Sequence, residues 1–501
     1  MDIILGLDLG TTNCKAVLFD RDGQLVASAT TPTPVRHEAP PAPGSPEYDA
    51  HALWNACVEL IRGVTGQLPP GQAVVGVAVA SMGEAGVLVD EAGEALKPIL
   101  TWHDRRTVPW VDWWRARMSQ ADIYRITGLP LDHIYSAHKL LWYREQDPHT
   151  FARARSWLCL ADWITFCLSG ELSTSYSMAS RTMLFDVRRH TWSADLLRLA
   201  ELPADLLPPA SPSGKIVGRV TPQAARATGL AIGTPVVIGG HDHICAALAA
   251  GVITPGAMLN SSGTTDTILV TLNAPLLDGA LADAGLCCGC HTVPDHYYLV
   301  GGIMSGAVVD WVSRLLAGDN RPDTLASLMD EAASVPPHAN GIWFLPYLGG
   351  SGPPDRDPNA WGAWLGLRLN HTRADVMRAT MEGLTFALRY LLEGFQPVTG
   401  LTASQLRTVG GGSRNRWWQS LKADVLGLPI EVPAVSDVTA SGAALLAGIG
   451  IGMFSDAADA AARSYRPAVR YEPDPGRHAV YDTAHHDVFL KLYPALKELP
   501  L

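Results

Sequence analysis

Three short glycine-rich stretches hold the residues whose types and spacing point to chemistry. The first is Asp8-Leu9-Gly10-Thr11-Thr12, set between the apolar run Ile3–Asp8 and a second run, Ala16–Asp20. A turn of small residues lets backbone N–H groups and threonine hydroxyls approach phosphate oxygens, and a nearby carboxylate can hold hydrated Mg2+. A plain hairpin turn would use the same residues. The second is Gly239-Gly240-His241-Asp242-His243, after the strand-like Pro235–Ile238. Glycines at a strand end would open room for a ligand and present Asp242 to a cleft. There its carboxylate can take a hydroxyl proton as that oxygen attacks a γ-phosphate. The competing reading is an aspartate that caps a helix over Ile244–Ala250. His241 and His243, with no third ligand in sight, read as packing or hydrogen-bonding residues. The third stretch, Gly410-Gly411-Gly412-Ser413-Arg414-Asn415, lies between a strand over Leu406–Val409 and a helix over Trp417–Leu426. A bare glycine triplet suits a flat purine or its ribose, with amides at the helix start adding polar contacts. A long connecting loop is the alternative.

The elements that must position these residues are mixed strands and helices in both halves of the chain. Helical spacing of apolar residues predicts helices over Ala52–Val64, Ala137–Glu145 and Arg373–Phe395 as well. Thr31–Pro46, rich in Pro, Thr and Ala, predicts an exposed loop. Two apolar strands joined by a Gly-Thr-Thr turn occur at Leu5–Asp20 and again at Ala257–Leu272, where the turn is Gly263-Thr264-Thr265; this looks like an internal duplication. A chain of 501 residues is too long for one core, so two α/β domains with a cleft between them are expected, over 1–250 and 251–501.

Composition narrows the function classes. Hydrophobic residues at 47% and charged residues at 17% suit a globular protein, and a net charge of −11 argues against nucleic acid or an anionic membrane as partner. The start, MDIILGLDLG, lacks the basic region of a signal peptide, and no run approaches the length of a membrane span. Eight scattered cysteines predict reduced thiols in a cytoplasm. Cys287-Cys288-Gly289-Cys290-His291 is the cluster that invites a metal reading; with no second ligand pair at a matching spacing, buried thiols are the better one.

No GxxxxGK[ST] pattern and no GxGxxG opening a helix after the first strand are present, so nucleotide binding needs another architecture. Gly362-Ala363-Trp364-Leu365-Gly366-Leu367, followed after seven residues by Asp375-Val376-Met377-Arg378-Ala379-Thr380-Met381-Glu382, matches the second signature of the FGGY carbohydrate kinases without a mismatch. Ser136–Trp142 fits the other signature, while Ile134 and Tyr143 depart from it. Trp102-His103-Asp104-Arg105-Arg106, Ala161-Asp162-Trp163, Ala179-Ser180 and Leu184-Phe185-Asp186 extend the resemblance from Leu5 to about Gly448. The chain resembles that family, whose two actin-like (ribonuclease H-like) domains close on ATP and a sugar. The resemblance implies a first phosphate loop from Asp8, Thr11 and Thr12, a second from Gly263, Thr264 and Thr265, and adenosine held by Gly410, Gly411, Gly412 and Asn415. It implies Asp242 as catalytic base, Mg2+ held by Asp8 and Asp242, and Lys15 where several relatives carry an arginine near the phosphates.

The sugar site departs from the family pattern. Xylulokinase-like members carry Gln-Met-His where this chain has Met82-Gly83-Glu84. A glutamate there is similar to glycerol and autoinducer-2 kinases, but those carry an arginine where Gly83 stands. Glu84 can accept hydrogen bonds from two substrate hydroxyls. Trp102 can stack on a sugar, and Asp104 and His243 complete the expected contacts; a structural carboxylate and a core tryptophan are the plainer readings. The expected reaction is ATP-dependent phosphorylation of a terminal hydroxyl, first of a ketopentose such as D-xylulose, with gluconate, another ketose or a glycerol- or erythritol-like polyol as alternatives. The expected partners are the sugar and ATP, in a homodimer. An actin-like nucleotide-driven switch and a sugar-sensing protein without turnover are the readings from other classes.

Overall fold

The structure is a computed structural model that describes residues 2–36, 46–434 and 437–499. Its frame is two mixed sheets. The first is built from β1 (Asp2–Leu9), β2 (Asn13–Asp20), β3 (Leu25–Pro32), β4 (Ala73–Ser81), β5 (Ile216–Arg219) and β6 (Pro235–His241), in the order β5-β6-β4-β1-β2-β3. The second is built from β7 (Met258–Ser262), β8 (Thr265–Leu272), β9 (Cys287–Cys290), β10 (Tyr297–Met304), β11 (Leu406–Val409), β12 (Ile430–Pro433) and β13 (Pro467–Tyr471), in the order β9-β10-β8-β7-β11-β12-β13. The helices that matter below are α1 (Ala50–Thr65), α2 (Leu160–Ser169), α3 (Asp242–Ala249), α4 (Gly306–Ala317), α5 (Arg373–Thr399), α6 (Arg416–Leu426) and α7 (Val438–Gly450).

The sheets share a plan. In each, an antiparallel hairpin (β1–β2, β7–β8) is extended on one side by an antiparallel strand. On the other side come two parallel strands, β4 and β6 in one sheet and β11 and β12 in the other. An antiparallel edge strand closes each sheet beyond them. The Gly-Thr-Thr turns occupy equivalent places, which supports the duplication read from the sequence.

Between the sheets, α3 and α7 pack on each other within one apolar core. That core takes Ile4, Ala78 and Val237 from the first sheet and Leu259, Leu269 and Val409 from the second. A Cβ on Gly442 would lie 1.9 Å from the Cys245 carbonyl oxygen, so only glycine permits this close crossing. Thus α7, late in the chain, is wedged against the first sheet.

Several expectations shift here. Thr31 and Pro32 belong to β3, and Val35–Arg36 forms a short strand with Glu47–Tyr48, so the loop expected over Thr31–Pro46 is partly sheet. The cross-strand bonds override the turn-rich composition; positions 37–45 of that loop lie outside the described residues. Strand β6 runs through Gly239-Gly240-His241 rather than ending at Ile238, and α3 starts at Asp242. The cysteine cluster is strand β9, with Cys288 and Cys290 buried and free, their thiols pushed up to about 12 by burial. Among the described residues no group of three or more His, Cys, Asp or Glu side chains could hold a metal ion, and no helix is long and apolar enough to cross a membrane.

Candidate active site

Parallel pairing decides where the chemistry sits. Leu9 of β1 pairs with Ser81 of β4, and Ser81 pairs with His241 of β6. The carboxyl ends of three neighbouring strands therefore deliver Asp8, then Met82-Gly83-Glu84, then Asp242, to one edge. Open α/β sheets bind ligands at such an edge. A cavity of about 150 Å3 there is lined by Asp8, Lys15, Asp242 and His243 from the first half of the chain and by Gly410 and Asp437, among others, from the second.

The cavity is strongly anionic. Burial first, then Asp242 and Asp437, push the Asp8 carboxyl up to about 8, while Lys15 pulls the other way. Burial also raises Asp242, against the opposing pull of His243 and Arg181. Lys15, which faces Asp8 across the β1–β2 hairpin, places its Nζ 2.9 Å from Asp437. Asp8 Oδ1 is buried without a hydrogen-bond partner. The three carboxylates do not by themselves form a metal cage, but the orphaned Asp8 oxygen is the kind of single ligand that a hydrated cation completed by phosphate oxygens would take. In the ligand-free protein, an Asp8 carboxyl that binds its proton more tightly folded than unfolded makes stability fall as pH rises from about 4 to about 8. Thermal melts across that range are expected to show this decline, and Asp8→Asn to flatten it; an unchanged slope would show that Asp8 titrates ordinarily.

Asp242 is the first residue of α3, not its cap. The cap position is His241, whose side chain makes no capping bond, and Asp242 Oδ1 accepts the His243 backbone N–H at 2.6 Å. Its carboxylate thus serves a first-turn N–H of α3, as the helix-capping alternative expected in part, while it also lines the cavity. The glycines before it do not open ligand space. A Cβ on Gly239 would lie 1.8 Å from the Val79 carbonyl oxygen, and one on Gly240 2.7 Å from Ser177 Oγ, so both serve close packing of β6. His243 reaches across to the second sheet, with its Nδ1 3.5 Å from Thr267 Oγ1.

Both Gly-Thr-Thr turns flank the cavity's strands and are exposed. Thr11 Oγ1 accepts the Trp102 indole N–H at 3.2 Å and lies 3.9 Å from the Met82 sulfur, so Trp102 and Met82 brace the first turn. Thr12 accepts the Thr33 N–H through its carbonyl. In the second turn the Gly263 and Thr264 carbonyls accept N–H groups from the start of α4, and Thr265 opens β8.

The glycine triplet divides by role. Gly410 has φ +91°, and a Cβ there would lie 2.6 Å from the Ser262 carbonyl oxygen; one on Gly412 would lie 2.2 Å from Ser262 Oγ. Gly411 alone faces open space. The expectation of three bare glycines is thus corrected: two pack on β7 and one is free for a ligand. Asn415 caps α6 by accepting the Trp418 N–H at 2.9 Å, so its side chain is engaged within the fold. Gly410→Ala is expected to destabilise the protein by about 1–3 kcal/mol in urea melts, whereas Gly411→Ala leaves the melt unchanged and raises the KM for ATP.

The sugar-side residues also divide. Asp104 has no exposed side-chain surface, and both its oxygens are held by Arg106, which also reaches Glu47 at 2.8 Å. The expected sugar contact through Asp104 is therefore corrected to a structural ion pair. Glu84 is buried in the left-handed region, φ +65°, where a non-glycine residue is strained. Its carbonyl accepts Ser136 Oγ at 3.0 Å, and its Oε1 accepts Arg181 Nε at 2.6 Å, with Arg181 Nη2 at 2.5 Å.

Two residues of this site went unread in the sequence. Asp437 precedes α7 as Asp242 opens α3, after the equivalent strand of the other sheet, so the duplication itself carried the signal. Arg181 lies 97 residues from Glu84, and nothing local announces it.

Comparison with known proteins decides the family. The N-terminal domain model of the FGGY family of carbohydrate kinases matches residues 3–249, and the C-terminal domain model matches 258–451. The chain belongs to the FGGY family of carbohydrate kinases. This FGGY kinase superposes on a xylulose kinase structure from Rhodospirillum rubrum with a TM-score of 0.89 at 32% identity over 99% of both chains. It is 28% identical to a xylulose kinase of Staphylococcus epidermidis, over 99% of this chain and 98% of the relative. It is 30% identical to an L-fuculokinase of Escherichia coli, over 92% and 95%. The expected two-domain actin-like fold is thereby shown, as is a sugar phosphotransferase. Relatives named for different sugars leave the acceptor to be argued from this chain's own residues.

Proposed function

We propose that this FGGY kinase transfers the γ-phosphoryl group of ATP to a terminal hydroxyl of a small neutral sugar, with a ketopentose such as D-xylulose as the first candidate. The observation that carries the reading is the convergence of Asp8, Asp242, Asp437 and Lys15 in one cavity at the carboxyl ends of duplicated sheets. In this reading residues 1–250 supply the sugar site and first phosphate turn, and residues 251–501 the nucleotide site. Asp242 accepts the hydroxyl proton; its burial raises its basicity towards that of a useful general base. Thr11, Thr12, Thr264 and Thr265 offer hydroxyls and amides to phosphate oxygens, and Gly411 leaves room for adenosine. Asp8 and Asp242 would hold Mg2+, which supplies charge neutralisation on the transferred group. Lys15, released from Asp437, meets the phosphates as a point charge. Glu84, Trp102 and Met82 border the sugar. The names of the xylulose kinase relatives support the ketopentose choice.

A panel of pentuloses, hexuloses, gluconate and polyols, scored by ATP consumption, tests this. D-xylulose is expected to be turned over best, and absence of sugar-dependent turnover on every member would overturn the proposal. Glu84→Ala is expected to raise the sugar KM by roughly 10- to 100-fold, the worth of a charged hydrogen bond, with the ATP KM unchanged. Equal effects on both constants would mark Glu84 as structural.

A further inference from the structure

We infer that Arg181, locked by Glu84, is the specificity-determining residue of the acceptor site and selects an uncharged polyhydroxy acceptor over a sugar acid. The inference rests on the kinase reading above and narrows its substrate class. Three observations carry it. First, Arg181 and Glu84 form a nearly buried pair, with 10% and 7% of their side-chain surfaces exposed, and two guanidinium nitrogens converge on the single oxygen Oε1. A guanidinium has five N–H donors, so this contact leaves donors for another acceptor. Second, the pair sits against the reacting edge. A Cβ on Gly83 would lie 2.9 Å from His241 Cδ2 and 3.3 Å from Arg181 Cβ. A side chain at position 83 would crowd the His241 ring first and the Arg181 stem next; Arg181 comes from a distant segment, its guanidinium 5.5 Å from the Tyr135 ring centroid. Third, the charges cancel unfavourably for an anion. Glu84 neutralises Arg181, and Asp242 on the neighbouring strand end adds a further carboxylate. A carboxylate on the acceptor would meet two carboxylates and one spent cation. A hydroxyl or ketone oxygen can instead accept from Arg181 while a neighbouring hydroxyl donates to Glu84.

The test pairs binding with turnover. Sugar binding is measured by calorimetry with D-xylulose and with gluconate, and steady-state constants are measured for the same compounds. The wild type is expected to favour D-xylulose by about a hundredfold or more, because like-charge juxtaposition is costly. Arg181→Lys retains the charge but loses the fork, and is expected to weaken D-xylulose binding about tenfold with the ATP KM unchanged. Glu84→Gln leaves Arg181 uncompensated and is expected to shift preference towards gluconate, which a merely structural pair would not do. A folded Arg181→Lys protein with wild-type affinity, or a wild type that favours gluconate, overturns the inference alone. Sugar binding without phosphoryl transfer overturns only the kinase reading. Absence of binding to either compound overturns the inference, and absence of turnover across the wider panel overturns the kinase reading with it.

Discussion

Asp242→Asn is expected to lower kcat by roughly 10^2- to 10^4-fold, the range of general acid–base contributions, while the KM values for sugar and ATP stay close to wild type. Asparagine keeps the shape and can still accept the His243 N–H, but it cannot take the hydroxyl proton. The substitution also relieves the cavity. Asp242 is buried and raises the Asp8 carboxyl, so its removal takes one negative charge from a cluster that already resists ionisation. The variant is therefore expected to melt at or above the wild-type temperature at neutral pH. Loss of activity with retained or increased stability separates a catalytic base from a structural aspartate. Near-native phosphorylation by Asp242→Asn would remove the general-base role, and a lowered melting temperature would assign the residue to the fold.

Lys422→Met is expected to cost about 3–5 kcal/mol of stability in urea melts, as breaking one side of a buried ion pair does. Lys422 on α6 is wholly buried, with Nζ 3.0 Å from Asp266 Oδ2, 2.8 Å from Asn260 Oδ1 and 3.2 Å from Ser262 Oγ. It also lies 4.3 Å from the Trp418 ring centroid. Burial lowers its affinity for a proton, and Asp266 opposes that effect. Methionine would fill the stem's volume but leave Asp266 charged, buried and alone. Lys422→Met/Asp266→Asn is expected to recover most of the loss, because both charges then leave together. The network lies beneath Ser262, which precedes the second Gly-Thr-Thr turn and supports Gly410 and Gly412. The single variant should therefore also raise the ATP KM. Wild-type stability in the single variant would show the pair to be energetically idle.

The glycine motifs illustrate the limit of reading by composition. Gly239, Gly240, Gly410 and Gly412 were expected to make room for ligands, and all four instead admit a neighbouring backbone or side chain. Glycine supports both roles, and only the position of the atom opposite distinguishes them. Asp104 teaches the same lesson for charge: its partner Arg106 is two residues away, yet the partly buried fork between them depends on how the chain turns.

The sequence by itself determined the two-domain α/β class, the duplicated strand–turn–strand units, the family, and the placing of Asp8 and Asp242 at strand ends. The family follows from the resemblance of its signature segments, Gly362–Leu367 with Asp375–Glu382 above all, and the rest from local pattern, since alternation, apolar runs and turn chemistry act over a few residues. Only the tertiary structure decided that α7 wedges against the first sheet, that Asp437 joins the carboxylates with Lys15, and that Arg181 pairs with Glu84. Each of these is a contact between segments far apart in the chain. Such contacts are set by strand order and helix packing; of these residues only Asp437 leaves a trace in the sequence, through its equivalent place in the duplicated unit.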